Sequence, residues 1–136
     1  MLEWLRKLGA KKLPPLTGAP LVRRRKTYSA ESGYVYIYYY EGSRAAERGS
    51  ERGAQFVFAV SWDRKSFFPV SVFLAESSIA PWEDAHHVLQ DAERYAIAKM
   101  ALFQAFDERP DPTRMKLEVL VRRADAESIL ETLELD

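Results

Sequence analysis

The chain has 136 residues, 47% of them hydrophobic and 29% charged, with 20 basic side chains balancing 20 acidic ones and no cysteine. This length fits a single domain that buries roughly two-thirds of the surface its unfolded form exposes. The missing cysteine excludes disulfide scaffolds, zinc knuckles and thiol nucleophiles, no apolar run reaches the ~18 residues that span a bilayer, and the expected location is the cytoplasm.

The zero net charge hides an asymmetry. Residues 1–26 hold Arg6, Lys7, Lys11, Lys12, Arg23, Arg24, Arg25 and Lys26 against the single acid Glu3, a net of +7, and the other 12 bases and 19 acids give −7. Residues 1–11 set Met1, Leu2, Trp4, Leu5 and Leu8 on one side of a helical wheel and Glu3, Arg6, Lys7 and Lys11 on the other. This is a short amphipathic helix pattern, limited by Gly9 and Pro14-Pro15 to about three turns. Its interleaved charges do not form a signal-peptide core. A helix so short needs a surface to lie on, which makes Trp4, Leu5 and Leu8 its expected interaction residues. PPLTGAPLV (14–22) reads as an extended linker, and Arg23 to Lys26 follow directly. The expected organisation is a basic amphipathic arm over 1–26 and an α+β domain over 27–136.

YVYIYYY (34–40) consists wholly of strand-favouring residues, with Tyr34, Tyr36, Tyr38 and Tyr40 on one face and Val35, Ile37 and Tyr39 on the other. The tyrosine face is expected to stay partly open, because a phenol can present its polar tip to water. EGSRAAERGSERG (41–53), with three glycines and many charges, reads as a mobile loop. QFVFAVSW (55–62) and FFPVSVFL (67–74) read as an antiparallel hairpin across a turn at Asp63–Ser66, with Pro69 marking an edge or a bulge. A long helix is expected from Pro81 to Glu108, with Leu89, Ala92, Ala96, Met100, Phe103 and Phe106 at helical spacing. MKLEVLVRR (115–123) alternates as a strand, and Asp125 is placed to cap a short final helix docked through Ile129, Leu130 and Leu133. The predicted fold is α+β: a single four-stranded, mainly antiparallel sheet packed on one long helix and a short C-terminal helix.

Two constellations carry the functional expectation. Arg23, Arg24, Arg25 and Lys26 supply cations for phosphate or an acidic partner. Tyr34, Tyr36, Tyr38 and Tyr40 supply flat rings for stacking, against the plainer role of cross-strand packing. Glu83, His87 and Asp91 fall four apart on the expected long helix, but without a fourth ligand at defined spacing they make no metal motif. The two histidines, His86 and His87, lack a serine elbow or other nucleophile signature, and no phosphate-cradling glycine loop is present. The pattern therefore points to a non-catalytic binding or interaction module, without metal or cofactor, that engages a protein partner or itself. A nucleic-acid-associated protein using the arm and the tyrosine strand is the alternative, a small-molecule or metal-dependent enzyme the third reading, and membrane association the least favoured.

Overall fold

The computed structural model describes residues 13–134, and within them the period-two patterns build five strands. These are β1 (Lys26–Ser29), β2 (Val35–Arg48), β3 (Glu51–Ser61), β4 (Phe68–Ala75) and β5 (Val119–Val121). They form one sheet in the order β1-β2-β3-β4-β5. The first four run antiparallel, and β5 lies parallel to β4 through Val72↔Val119 to Leu74↔Val121. A parallel neighbour needs a long crossover. It is provided by α1 (Glu76–Ala85), α2 (Asp91–Glu108) and a 3-10 turn (Pro112–Lys116); α3 (Arg123–Leu133) follows β5.

The α+β class holds, but the sheet is mixed and has five strands where four were expected. The added strand, β1, begins at Lys26, which composition assigns to the arm. Pro69 lies on β4 outside the Val72–Leu74 stretch that β5 covers, so its missing N–H leaves no gap in that ladder. The expected 41–53 loop is instead the far half of a long hairpin. β2 and β3 pair to the tip through Glu47↔Arg52 and Arg48↔Glu51, leaving only Gly49-Ser50 as the turn. Gly49 has φ +61° at the first central position, which suits the hairpin turn that needs glycine there. Opposite charges face each other across the strands, so the charge density that reads as a loop supports pairing instead.

The expected long helix is also divided. α1 starts directly after β4 and carries Pro81 internally, and residues 86–90 separate it from α2. The break is fastened from both sides. Gln90 and Glu93 form a capping box that opens α2, and the Glu83 carboxylate accepts from Leu89 N at 2.8 Å. Ser78 Oγ donates to Val121 O at 2.8 Å, tying α1 to β5. The 115–123 strand shrinks to three residues, flanked by the 3-10 turn and by α3, whose N-terminus is closed by Asp125 accepting from Arg122 N.

The tyrosine face is the core face, contrary to the expectation that it stays open. Tyr36 and Tyr38 are 0% and 3% exposed. Tyr36 stacks on Phe106 of α2 at 4.1 Å and 10°, Tyr38 meets Phe103 edge-on at 5.7 Å, and Tyr40 lies 4.5 Å from Tyr95. Magnitudes explain the reversal. Burying a ring of at least 150 Å² is worth about 4 kcal/mol, and stranding a hydroxyl costs about 1–3 kcal/mol. Tyr36 Oη is the only buried side-chain polar atom among the described residues without a hydrogen-bond partner.

The β1–β2 connection is clamped to the end of α2. Asp107 accepts from Tyr28 Oη (2.7 Å) and Glu31 N (2.9 Å), and Ser32 Oγ donates to Phe106 O (2.8 Å). The hydrogen bond to Asp107, then burial, pushes the Tyr28 phenol up to about 12. Two substitutions separate these roles in denaturant unfolding. Tyr36→Phe is expected to leave stability unchanged or raise it by up to ~1 kcal/mol, whereas Asp107→Ala should cost about 1–3 kcal/mol.

Candidate binding cleft and sheet edge

The structure does not bring the two sequence-level constellations together. The Arg23 guanidinium sits 4.1 Å from the Tyr39 ring centre and pairs with Glu41. Tyr39 belongs to the opposite face from the tyrosine stripe, so this cation is turned away from it. Arg24, Arg25 and Lys26 are exposed. Tyr34 and Tyr40 are half-buried at the ends of the stripe, with Tyr36 and Tyr38 sealed between them under α2. Trp4, Leu5 and Leu8 lie outside the described residues. Glu83, His87 and Asp91 do not share one helix: Glu83 meets Leu89 N and Arg94, and His87 Nε2 lies 3.3 Å from Glu93. Among the described residues, no group of three or more His, Asp or Glu side chains is placed to hold a metal, and no helix is long and apolar enough to cross a membrane.

What sequence reasoning missed is a cleft at the far end of the inner face. It arises from a mismatch in length. The β2–β3 hairpin runs well past the first turn of α2, and the inner-face residues there are small. A register shift between Tyr40 and Gly42 resets the alternation, so that Ser43 and Ala45 follow Tyr40 on the inner face, opposite Phe56 and Ala54. Gly42 takes φ +120°, and a Cβ there would lie 2.8 Å from Thr17 O, so only glycine fits. The resulting cleft has a volume of about 580 Å³, in the range of ligand pockets, with Tyr40, Ala45, Ala54 and Phe56 as its floor and Tyr95 as a wall. Burial raises both phenols, Tyr40 and Tyr95, so both are neutral hydrogen-bonding groups at physiological pH.

The rim carries charges of both signs. Arg94 is its cation on the helix side, but Nη1 donates to Glu76 at 2.8 Å and Nη2 reaches Glu83 at 3.4 Å. Burial lowers the Arg94 pKa and these carboxylates more than restore it. Arg44 is likewise engaged, donating to Gln55 Oε1 at 2.8 Å. Asp91, the first residue of α2, borders the cleft as a carboxylate.

Beside the cleft lies a strand edge. β1 covers β2 from Val35 to Tyr38, and Thr17 covers Ser43 through a reciprocal backbone pair of 2.9 and 2.8 Å. Continuing that bridge would set Pro15 against Ala45, and proline has no N–H to donate. Among the described residues no backbone group pairs with Ala45 or Glu47 on this side.

The outer face carries a second cluster. The Glu118 carboxylate accepts from Arg48 Nε (2.5 Å) and Nη2 (2.7 Å), from Ser71 Oγ (2.7 Å) and from Gln55 Nε2 (3.3 Å), linking β2, β3, β4 and the start of β5. Burial alone would raise Glu118, but the Arg48 and Ser71 hydrogen bonds outweigh it and hold the carboxyl below its usual value. Four donor hydrogen bonds converge on the one carboxylate, which makes the cluster a clasp between strands.

No family model, curated protein or solved structure matches this chain. Its functional reading rests on the cleft and the edge.

The clasp has a pH signature. Glu118 has a depressed folded-state pKa, so its contribution is complete above the unfolded value of about 4.3 and is lost as pH falls through the folded value. Glu118→Gln should lower stability at neutral pH by about 1–3 kcal/mol, and the gap to wild type should narrow on acidification below about pH 4.3 while staying constant between pH 6 and 8. Urea unfolding across pH measures both.

Proposed function

We propose that this chain is a non-catalytic interaction module that holds an extended segment of a protein partner in the cleft between the β2–β3 hairpin and the start of α2. The observation that carries this reading is the adjacency of an apolar, aromatic-floored cleft to a strand edge whose backbone groups at Ala45 and Glu47 have no partner among the described residues. An added strand uses such groups for affinity and sends alternate side chains into neighbouring pockets for selectivity. The rim defines the chemistry of the occupant. With Arg94 paired to Glu76 and Glu83, Asp91 is the cleft carboxylate that stands outside any ion pair among the described residues, and it favours a segment that pairs an apolar or aromatic side chain with a lysine or arginine. A second copy of the chain is a partner of the same kind. We place the module in the cytoplasm on composition, since a cysteine-free chain suits a reducing compartment.

A second reading keeps one supporting observation. Arg24, Arg25 and Lys26 form an exposed run of cations that can neutralise phosphates. Its aromatic half is weaker, because stacking needs accessible rings and Tyr36 and Tyr38 are buried.

The test is NMR titration of the full chain with a peptide of alternating phenylalanine and lysine. Expected are shift changes confined to Ala45, Ala54 and Tyr95, and a loss of affinity of at least ~10-fold in Ala45→Trp, which fills the cleft. Binding that Ala45→Trp leaves unchanged, or that maps to Arg24–Lys26, would remove the cleft from the account.

A further inference from the structure

A stretch of the chain's own backbone stands at the strand edge beside the cleft. Residues 14–20 pass β2 in the antiparallel sense, and Thr17 pairs with Ser43 through two backbone hydrogen bonds, Thr17 N to Ser43 O at 2.9 Å and Ser43 N to Thr17 O at 2.8 Å. The sequence confines the pairing to that one position. Pro14 and Pro15 have no N–H to give toward Ala45, and Gly18 at φ +84° breaks the extended run on the other side. Thr17, Gly18 and Pro20 border the cleft. Little else holds the stretch. Of residues 13–20 only Leu16 is half-buried and the rest are exposed. The other polar contacts among the described residues are Arg44 Nη1 to Pro14 O at 3.4 Å and Thr17 Oγ1 to Ser43 O at 3.5 Å.

Resting on the cleft reading proposed above, we infer that residues 14–20 form a built-in strap that competes for the edge of β2 and is displaced by the segment that binds there. An added strand lies about 4.8 Å from its neighbour along the whole paired length. To bond Ala45 and Glu47 it must take the place beside residue 45. The bridge at Thr17 puts Pro15 in that place, with Pro14 beside Arg44. The two occupants therefore exclude each other. At Ser43 the exchange is nearly even, since the incoming segment replaces the bonds that Thr17 makes. At Ala45 and Glu47 it is favourable, since no backbone bond to the strap forms there among the described residues. Release of the strap draws only Leu16 out of partial burial, which sets this stretch among the easily opened parts of the fold. A fixed wall of the cleft would instead be pinned by buried side chains and several pairs. The closed strap lowers apparent affinity by the fraction of molecules it occupies, so the edge selects segments that pair beyond Ser43 toward the hairpin tip.

The cysteine-free chain allows the strap to be locked. Thr17→Cys with Ser43→Cys in the full chain sets two thiols at a hydrogen-bonded antiparallel pair, where Cα atoms lie about 5.5 Å apart and within disulfide reach. Affinity for the peptide of alternating phenylalanine and lysine is then measured on the same protein, oxidised and reduced. The oxidised form should bind at least ~10-fold more weakly, and reductant should restore binding. Thr17→Pro, which removes the donor to Ser43 O without a cross-link, should bind the peptide about 5-fold more tightly than wild type. Equal affinity in the oxidised and reduced forms, or weaker or unchanged binding in Thr17→Pro, overturns the strap and leaves the cleft reading standing. Failure of the peptide to bind wild type, the reduced form and Thr17→Pro alike would remove both.

Discussion

The packing of β2 tyrosines on α2 phenylalanines fixes everything else in this molecule. Tyr36 on Phe106, Tyr38 against Phe103 and Tyr40 against Tyr95 hold about three turns of helix flat on the sheet, with Tyr28 of β1 stacked on the same Phe103 at 4.3 Å. Once those rings are engaged, the position of α2 along the strands is set. Its C-terminal end is then where Asp107 can clamp the β1–β2 turn, and its N-terminal end is where the hairpin runs on past it. The cleft is the space left over when a long hairpin meets a helix anchored nearer the sheet's other end.

The β-bulge turns that leftover space into a usable shape. Glu41 is the extra residue between Tyr40 and Gly42; were it paired as an ordinary strand residue, the alternation would send Arg44 into the cleft and Ala45 outward. The bulge places Ser43 and Ala45 inside and Arg44 and Arg48 outside. Small side chains line the cleft, and the two arginines reach Gln55 and Glu118 on the outer face. One inserted residue thus separates an apolar inner cleft from an ion-paired outer clasp on the same strand.

Much of this was legible in the residues. The strand-favouring runs over 34–40, 55–62 and 67–74 locate parts of β2, β3 and β4, and Ile129, Leu130 and Leu133 dock the last helix as their spacing implies. Two kinds of feature escaped. The composition of 41–53 reads as loop, with its glycine and charge, but Glu47 and Arg48 meet Arg52 and Glu51 as opposite charges across Gly49-Ser50, which is a hairpin pattern. The burial of the tyrosines depends on which face α2 chooses, a tertiary decision that local alternation leaves open. The apolar stripe begins only at Leu89, and the stretch from Pro81 joins it through the preference of proline for a first helical turn; Pro81 instead lies inside a separate helix, and the break at 86–90 is made by a capping box and one carboxylate. The cleft itself had only a faint signal, the run of small residues Ser43, Ala45, Ala46, Gly53 and Ala54, and no motif.

The central claim is that the tyrosine stripe faces α2, because the location of the cleft, the identity of the outer face and the role left to the basic run all follow from it. The most direct measurement is a ring-to-ring nuclear Overhauser effect between Tyr36 and Phe106, read alongside quenching by a soluble paramagnetic agent. The account predicts a strong cross-peak from rings whose centres are 4.1 Å apart, with Tyr36 and Tyr38 protected from the agent. A missing cross-peak together with rapid quenching of both phenols would show that the stripe faces water and would contradict it.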